Sequence, residues 1–221
     1  MPSTLVHVGF AGLLGVALLS RHFDARAILA VMAAAAFPDL DTFIGLWLMD
    51  GAHRTVFHNL VFPTIVLAAV LWDVYLREES YILNRWGAYG FRVAWVSIVG
   101  GWVIAHVLLD AFFNGVNLFW PLHDEFIDLS GRMIVSDQRG FVQTFIELER
   151  TADGTAVAAE HTRGTTEDGH YYTGVDPGPD APEDVERWLP IADSGPLFVV
   201  MVAGYLAVAY RLLEERFTSE E

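Results

Sequence analysis

The sequence predicts an all-α polytopic membrane protein with about five transmembrane helices and a small, partly β, acidic extracytoplasmic segment. Three observations predict this class. Hydrophobic residues make up 53% of the 221-residue chain, which is more than a soluble domain of this size usually contains. These residues are gathered in long runs, and most of the excess negative charge lies in one polar segment between the last two runs.

Five hydrophobic runs are the candidate membrane spans. A helix crosses the hydrocarbon core in roughly 20 residues, so the first run is short and the second is long enough to tilt or kink. The first run lacks the basic flank and the small-residue cleavage site of a signal peptide, so we expect a retained span there. The runs are Thr4 to Leu19, Ala25 to Leu48, Val56 to Leu76, Phe91 to Phe113 and Pro196 to Leu213.

The arginines predict how these spans are oriented. Seven of them flank the spans on one side of the predicted membrane, and the positive-inside rule makes that side cytoplasmic. The N-terminus and the acidic segment are then outside the cell membrane and the C-terminus is cytoplasmic. The opposite orientation leaves Arg54 as the only basic residue in the short inner loops. The seven are Arg21, Arg26, Arg77, Arg85, Arg92, Arg211 and Arg216.

The acidic segment carries a net charge of −11 out of −15 for the chain. Within it, "GRMIVSDQRGFVQTFIELE" predicts two or three β-strands, "TADGT" and "DPGPDAPED" predict turns, and "VERWLP" predicts a short docking element. We therefore divide the chain into a four-helix membrane core (1–123), the acidic segment (124–194), and a C-terminal transmembrane helix with its tail (195–221).

Composition narrows the chemistry. The chain has no cysteine, which excludes disulfides and thiolate metal sites and leaves nitrogen and oxygen ligands for any metal. All thirteen basic residues are arginine, and an acidic, lysine-free chain is typical of a halophilic archaeon, although a GC-rich genome alone can also remove lysine. Without a basic patch, we expect the lipid bilayer as a partner and no nucleic acid.

Histidines and aspartates from four spans and their flanks are predicted to meet in the outer third of the membrane. Ionisable groups at this depth are costly and are functional candidates by default. The orientation was predicted from the arginines, so this convergence is an independent observation. The seven residues are His7, Asp39, Asp41, His53, His58, His106 and Asp110.

Two short motifs carry most of this prediction. In "HVLLD", His106 and Asp110 are four residues apart on one helical face, so both can reach one ion, and imidazole and carboxylate suit zinc or manganese. The alternative is a structural hydrogen bond between helices. In "FPDLD", Pro38 favours an unwound backbone that lets Asp39 and Asp41 line a polar cavity. The alternative is a proline kink in which one aspartate is an N-cap.

The same residues resemble a known family, the membrane-bound, metal-dependent hydrolases that are also described as LexA-binding and inner-membrane-associated. The resemblance covers about the first 125 residues and leaves out the acidic segment. It implies hydrolysis of a phosphoester at a multi-metal centre. The motifs that carry it are the early His7, "PDLD" at 38–41, "HR" at 53–54 followed by His58, and "HVLLD" at 106–110 followed by Gly115 and "WP" at 120–121.

We expect the seven residues to bind one or two divalent ions, zinc or manganese, that activate water for attack on a phosphoester such as a lipid headgroup. Asp39 or Asp41 would bridge metals or act as general base, and Arg54 would stabilise the anionic transition state, unless it is only an exposed loop residue. Two alternatives stay open. One is a non-enzymatic membrane module whose His/Asp cluster is structural, and the other is an ion transporter.

Overall fold

Helix α1 lies at the centre of a helical bundle. The computed structural model describes residues 2–49, 52–150, 156–159, 162–168, 171–175, 178 and 181–218. Around α1 pack the C-terminal helix, the second helix and a long π-helical segment. The helices are α1 (Thr4–Leu19), α2 (Ala25–Ala36), α3 (Asp41–Trp47), α4 (Val61–Tyr75), α5 (Tyr81–Trp95), the π segment (Val96–Leu108), α6 (Leu109–Phe113) and α7 (Gly195–Thr218).

The ends of the first helices are fixed by side-chain caps. The Ser3 hydroxyl accepts a hydrogen bond from the backbone of Val6, and the Asp24 carboxylate accepts one from Ala27. Helix α1 then approaches α7 closely, because Gly9 faces Met201 without an intervening side chain. A Cβ atom on Gly9 would lie 2.7 Å from the Met201 carbonyl oxygen. This contact places the start of α1 firmly at one end of the bundle.

The second hydrophobic run is broken where Pro38 predicted a break. Helix α2 ends at Ala36, a 3-10 turn spans Pro38–Leu40, and α3 continues at an angle of 45° to α2. No side chain caps α3 within the described residues 37–49, so the N-cap alternative for Asp39 and Asp41 is wrong. Both carboxylates are used elsewhere.

The third predicted run differs most from the structure. Residues 52–60 form turns, and α4 begins only at Val61, where the Asn59 carboxamide oxygen accepts the backbone hydrogen bonds of Val61 and Phe62. The loop is held by Trp102, whose indole donates to the Phe57 carbonyl over 2.9 Å. Irregular backbone of this kind is tolerated in a membrane protein where it lines a polar site.

In the part of the chain that the structure describes, three helices are long and apolar enough to cross a membrane, or four if the bent pair α2 and α3 is one span. Helix α4, with 15 residues, is shorter than that, so the predicted count of five is not confirmed. The three long spans are Thr4–His22, Tyr81–Phe113 and Gly195–Thr218.

The described part of the acidic segment contains two pairs of antiparallel strands, which confirms the strand prediction and adds a fourth strand. The predicted turn "TADGT", at 151–155, lies outside the described residues, and so does part of "DPGPDAPED". The strands are β1 (Met133–Ser136) paired with β2 (Gly140–Gln143), and β3 (Glu147–Arg150) paired with β4 (Ala156–Ala159).

The acidic segment is tied to the helical core at the end of α6. Val116 and Ile127 form a β-bridge, and the Leu129 backbone donates to the carbonyl oxygen of Ala111. Nearby, Arg163 pairs with Asp128. Burial opposes the ionisation of Asp128, but the Ser130 backbone and the Arg163 guanidinium outweigh it and hold the pKa of this carboxyl below its ordinary value.

Candidate metal centre

All seven predicted residues lie at one end of the bundle, in the part that α1, the α2–α3 break, the 52–60 loop and the end of the π segment share. Helix α1 contributes His7 from its first turns, and the π segment contributes His106 just before α6 begins at Leu109. Six of the seven are buried, and Asp39 keeps 22% of its side chain exposed. We call the seven residues the His/Asp cluster.

Two of the histidines are held by backbone carbonyl groups. His7 Nδ1 lies 2.8 Å from the carbonyl oxygen of Ala105, and His106 Nδ1 lies 2.6 Å from that of Ala35. A carbonyl oxygen only accepts, so in both rings Nδ1 carries the hydrogen and Nε2 keeps its lone pair. The two rings stack with their centroids 3.8 Å apart, which directs both Nε2 atoms to the same place.

His58 is held in the same way by a carboxylate. Its Nδ1 donates to Asp41 Oδ2 over 2.7 Å, while its Nε2 lies 2.8 Å from His106 Nε2. With both Nδ1 atoms protonated, two lone pairs face each other at this distance. They repel unless a proton or a metal cation lies beside them, so the arrangement requires a positively charged species.

Two carboxylates complete this inner set. Asp39 Oδ1 is 3.6 Å from the Nε2 atoms of both His58 and His106. Asp110 Oδ1 is 3.4 Å from His7 Nε2, and its Oδ2 is 3.5 Å from His58 Nε2. Neither His7 Nε2 nor Asp110 Oδ1 has a hydrogen-bond partner among the described residues, although both are buried. Such orphaned buried polar atoms are rare and require an explanation.

The inner set fits a divalent cation. Ligands around a tetrahedral zinc, at about 2.0–2.1 Å from the metal, are separated by roughly 3.4 Å, close to the distances found between the imidazole nitrogens and the carboxylate oxygens. Among the described residues, three groups of three have ligand atoms within 4.8 Å of one another, and two of these groups contain His106. The two that contain it are His7, His106 and Asp110, and Asp39, His58 and His106.

Asp41 and His53 lie behind this inner set. Asp41 Oδ1 accepts from His53 Nδ1 over 3.0 Å while Oδ2 accepts from His58, so one carboxylate orients two imidazole rings. With His58 they form a third group close enough to hold a cation, but there Asp41 faces the Nδ1 atoms that its own hydrogen bonds occupy. Carboxylates in this position typically orient metal-binding histidines.

Arg54 is fully buried, so the alternative that it is an exposed loop residue is wrong. Its Nη1 donates to the Gly115 carbonyl over 2.8 Å, and its Nη2 is 3.4 Å from Asp110 Oδ2. The guanidinium also lies 5.0 Å from the ring centroid of Tyr171 in the acidic segment. A buried cation beside Asp110 keeps that carboxylate ionised and fixed in place.

Three neighbours of the cluster were not predicted. The Thr4 hydroxyl donates to Asp39 Oδ2, Thr42 Oγ1 lies 3.2 Å from His53 Nδ1, and the Tyr171 hydroxyl donates to the Asn114 carbonyl over 3.1 Å. Thr4 lies three residues before His7, on the same helical face, and that spacing was a usable signal. No local signal indicates Tyr171, which is far from Arg54 in sequence.

His123 lies away from the cluster, as does His22. His123 is exposed and pairs with Glu125 over 2.9 Å. It therefore offers a matched control for substitutions of the buried histidines.

A cavity of about 580 Å³ lies beside the His/Asp cluster, and Asp39 and His53 are part of its wall. On one side the wall is the start of α1 with residues around the α2–α3 break. On the other side it is the acidic segment, from Tyr172–Val175 and from the "VERWLP" element. The cluster is thus reached from beneath the acidic segment.

A family model described as YdjM inner membrane protein matches residues 1–168 of the chain. This range includes the whole His/Asp cluster and extends past residue 125 into the acidic segment, further than the sequence motifs alone indicated. No curated protein and no solved structure matches the chain.

Proposed function

This chain belongs to the YdjM inner membrane protein family, and we propose that it is an integral membrane, metal-dependent hydrolase that cleaves a phosphoester of a lipid headgroup or a similar group. The observation that supports this proposal most is that three imidazole Nε2 atoms and two carboxylates lie close together in the interior of the bundle. Their distances and their orphaned polar atoms suit a divalent cation.

Five residues would hold one or two ions of zinc or manganese, which match nitrogen and oxygen ligands. A divalent ion in such a site lowers the pKa of water and stabilises negative charge on a phosphoryl oxygen. The five are His7, Asp39, His58, His106 and Asp110.

The remaining cluster residues have supporting roles in this proposal. Asp39 is open to the cavity, so its carboxylate is placed to accept a proton from a water molecule there. Asp41 orients His53 and His58 through their Nδ1 atoms. Arg54 acts through Asp110, because it is fully buried and is not part of the cavity wall.

We also propose that the cluster end of the bundle faces outward. The seven arginines that flank the spans lie near the opposite ends of the helices, as the positive-inside rule requires of the cytoplasmic side. Helix α4 would be the fifth crossing, and the 52–60 loop would cover the part of the membrane thickness that this 15-residue helix does not span. The lysine-free, acidic composition supports a halophilic source.

The test is a hydrolysis assay on the purified protein in lipid nanodiscs, with phosphatidic acid and a water-soluble aryl phosphate as substrates. We expect release of phosphate that a chelator abolishes and that zinc or manganese restores. His106→Ala should abolish it, while His123→Ala should leave it unchanged, because His123 lies outside the cluster.

Two results would contradict the proposal. One is activity that neither the chelator nor His106→Ala reduces. The other is no hydrolysis of any phosphoester by metal-loaded protein, together with a lower melting temperature in Asp110→Asn. That result would favour the non-enzymatic module, in which the cluster only holds helices together.

A further inference from the structure

The cavity beside the His/Asp cluster has the size and lining of a ligand site. Its volume of about 580 Å³ lies within the roughly 300–1,000 Å³ of small-molecule sites, which are mostly apolar with a few polar groups. Charged and polar side chains line it on both sides, with Asp39 and His53 in the core and Glu186 and Asp193 in the acidic segment. The rest is mainly apolar, with Leu40, Phe43 and Trp188 among its lining residues.

We call the part of the acidic segment that lines the cavity, Tyr172–Val175 and the "VERWLP" element, the roof. It lies close to the helical core. The Trp188 backbone donates to the Gly174 carbonyl over 3.0 Å, and a Cβ atom on Gly174 would lie 2.8 Å from Trp188 Cδ2. At the other end of the roof, the Ser3 hydroxyl donates to the Ile191 carbonyl over 2.5 Å. The stretch from Trp188 to Ile191 therefore connects Gly174 to the start of α1.

Apolar residues of the cavity wall are exposed both in the acidic segment and on α3. In the acidic segment, Trp188 is 55% and Leu189 67% exposed, which is unusual in a segment of net charge −11. On the core side of the cavity wall, Phe43 on α3 is 48% exposed, and α3 continues with the exposed Trp47. Tryptophans at the boundary of an apolar helix bundle are typical of the membrane interface. An apolar opening at that level would adjoin lipid.

We infer that this cavity binds the hydrocarbon chain of a phosphoester lipid that enters sideways from the adjoining leaflet, with its phosphate at Asp39 and His53. The inference rests on the proposed function for the identity of the head group. In this inference, the "VERWLP" element and α3 select a membrane lipid over a water-soluble phosphoester. The observation that supports this inference is that the apolar wall is continuous with the His/Asp cluster. One ligand can contact both the apolar wall and the cluster only if it is amphiphilic.

The test uses phosphatidic acid with a diazirine in its acyl chain, incorporated into phosphatidylcholine nanodiscs that contain the full-length protein. After irradiation, mass spectrometry should find label in 185–190 and in α3, and excess unlabelled phosphatidic acid should remove it. Val175→Trp, which fills the cavity, should reduce this label at least about fivefold, equivalent to about 1 kcal/mol of binding. Val199→Trp is the matched control on an exposed face of α7 and should not reduce it.

Label spread over the exposed faces of α1 and α7 but absent from the cavity wall would overturn the inference. So would cavity label that Val175→Trp leaves unchanged. His106→Ala separates this inference from the proposed function, because it should abolish hydrolysis and retain the label. Absence of the label from a wild type with normal metal-dependent hydrolysis would contradict the hydrocarbon-chain site alone. Label in a wild type that hydrolyses no phosphoester would contradict the proposed hydrolase alone.

Discussion

Individual residues in the His/Asp cluster are distinguished by which ring nitrogen or carboxylate oxygen they use. His7, His58 and His106 each donate from Nδ1 to an oxygen and present Nε2 to the centre. Asp41 does not face the centre, because its two oxygens accept hydrogen bonds from the Nδ1 atoms of His53 and His58. The sequence predicted all seven residues as one set, because spacing shows which residues share a face but not which atom each presents.

Asp41→Asn tests this division. The asparagine keeps the shape of the side chain but loses the charge that holds His53 and His58, so we expect metal affinity to fall about 10–100-fold while full occupancy is still reached at high metal concentration. Competition against a chelator of known affinity measures the change. Asp110→Asn, which alters a proposed ligand, should weaken binding more. Equal losses in both variants would contradict the division into ligands and orienting residues.

Arg54 shows what the sequence could not predict at this scale. The motif "HRTVFH" places it in a loop, and a loop arginine is usually exposed. Its burial depends on the Gly115 carbonyl, on Asp110 and on Tyr171, which approach it only in the folded chain. No local pattern encodes three partners that are 56 or more positions away.

At the scale of elements, the site depends on two departures from regular helix. The 3-10 turn after Pro38 lets Asp39 face His58 and His106 while Asp41 faces His53. The π segment, which ends just before Leu109, carries His106 and is widened relative to an α-helix, as π-helical turns at functional sites often are. Pro38 made the first departure predictable, whereas hydropathy cannot reveal the second.

Close packing of α1 against α7 should also support the site, because α1 carries His7. Gly204 of α7 lies against Gly9, and a Cβ atom there would clash with its backbone. We expect Gly204→Leu to push the helices apart and cost about 1–3 kcal/mol, which lowers the melting temperature by several degrees and weakens metal binding. Gly195→Leu is the control, since nothing lies within 4 Å of a Cβ atom at Gly195. A normal melting temperature and normal metal affinity in Gly204→Leu would contradict this packing role.

At the scale of the whole molecule, hydropathy predicted where most apolar helices lie, while the predicted count of five crossings is not confirmed. Helix α1 and the long C-terminal helix lie where the runs predicted them. The third run was predicted to begin at Val56, but its helix begins only at Val61, because Val56 and Phe57 are apolar although their backbone is irregular. The roof over the cluster was also unpredictable, since it joins 172–175 and 185–191 to the start of α1 across most of the chain.

The proposed orientation can be tested directly, because the chain has no cysteine and any introduced thiol is unique. Gln138→Cys lies in the acidic segment and Glu79→Cys in the link between α4 and α5, and both positions are exposed. On intact cells a membrane-impermeant maleimide should label Gln138→Cys alone, and both variants should be labelled after lysis. Labelling of Glu79→Cys alone on intact cells would reverse the orientation.

The metal content of the purified protein tests the central claim most directly, with elemental analysis of wild type, His106→Ala and His123→Ala after loading with zinc or manganese and removal of the excess. The two groups of proposed ligands share His106, so the account predicts one to two ions per chain in the wild type and in His123→Ala. It predicts less than about a tenth of that in a folded His106→Ala variant, because both groups lose a ligand. A wild-type protein that retains only a trace of metal, or a His106→Ala variant that retains as much as the wild type, would contradict it.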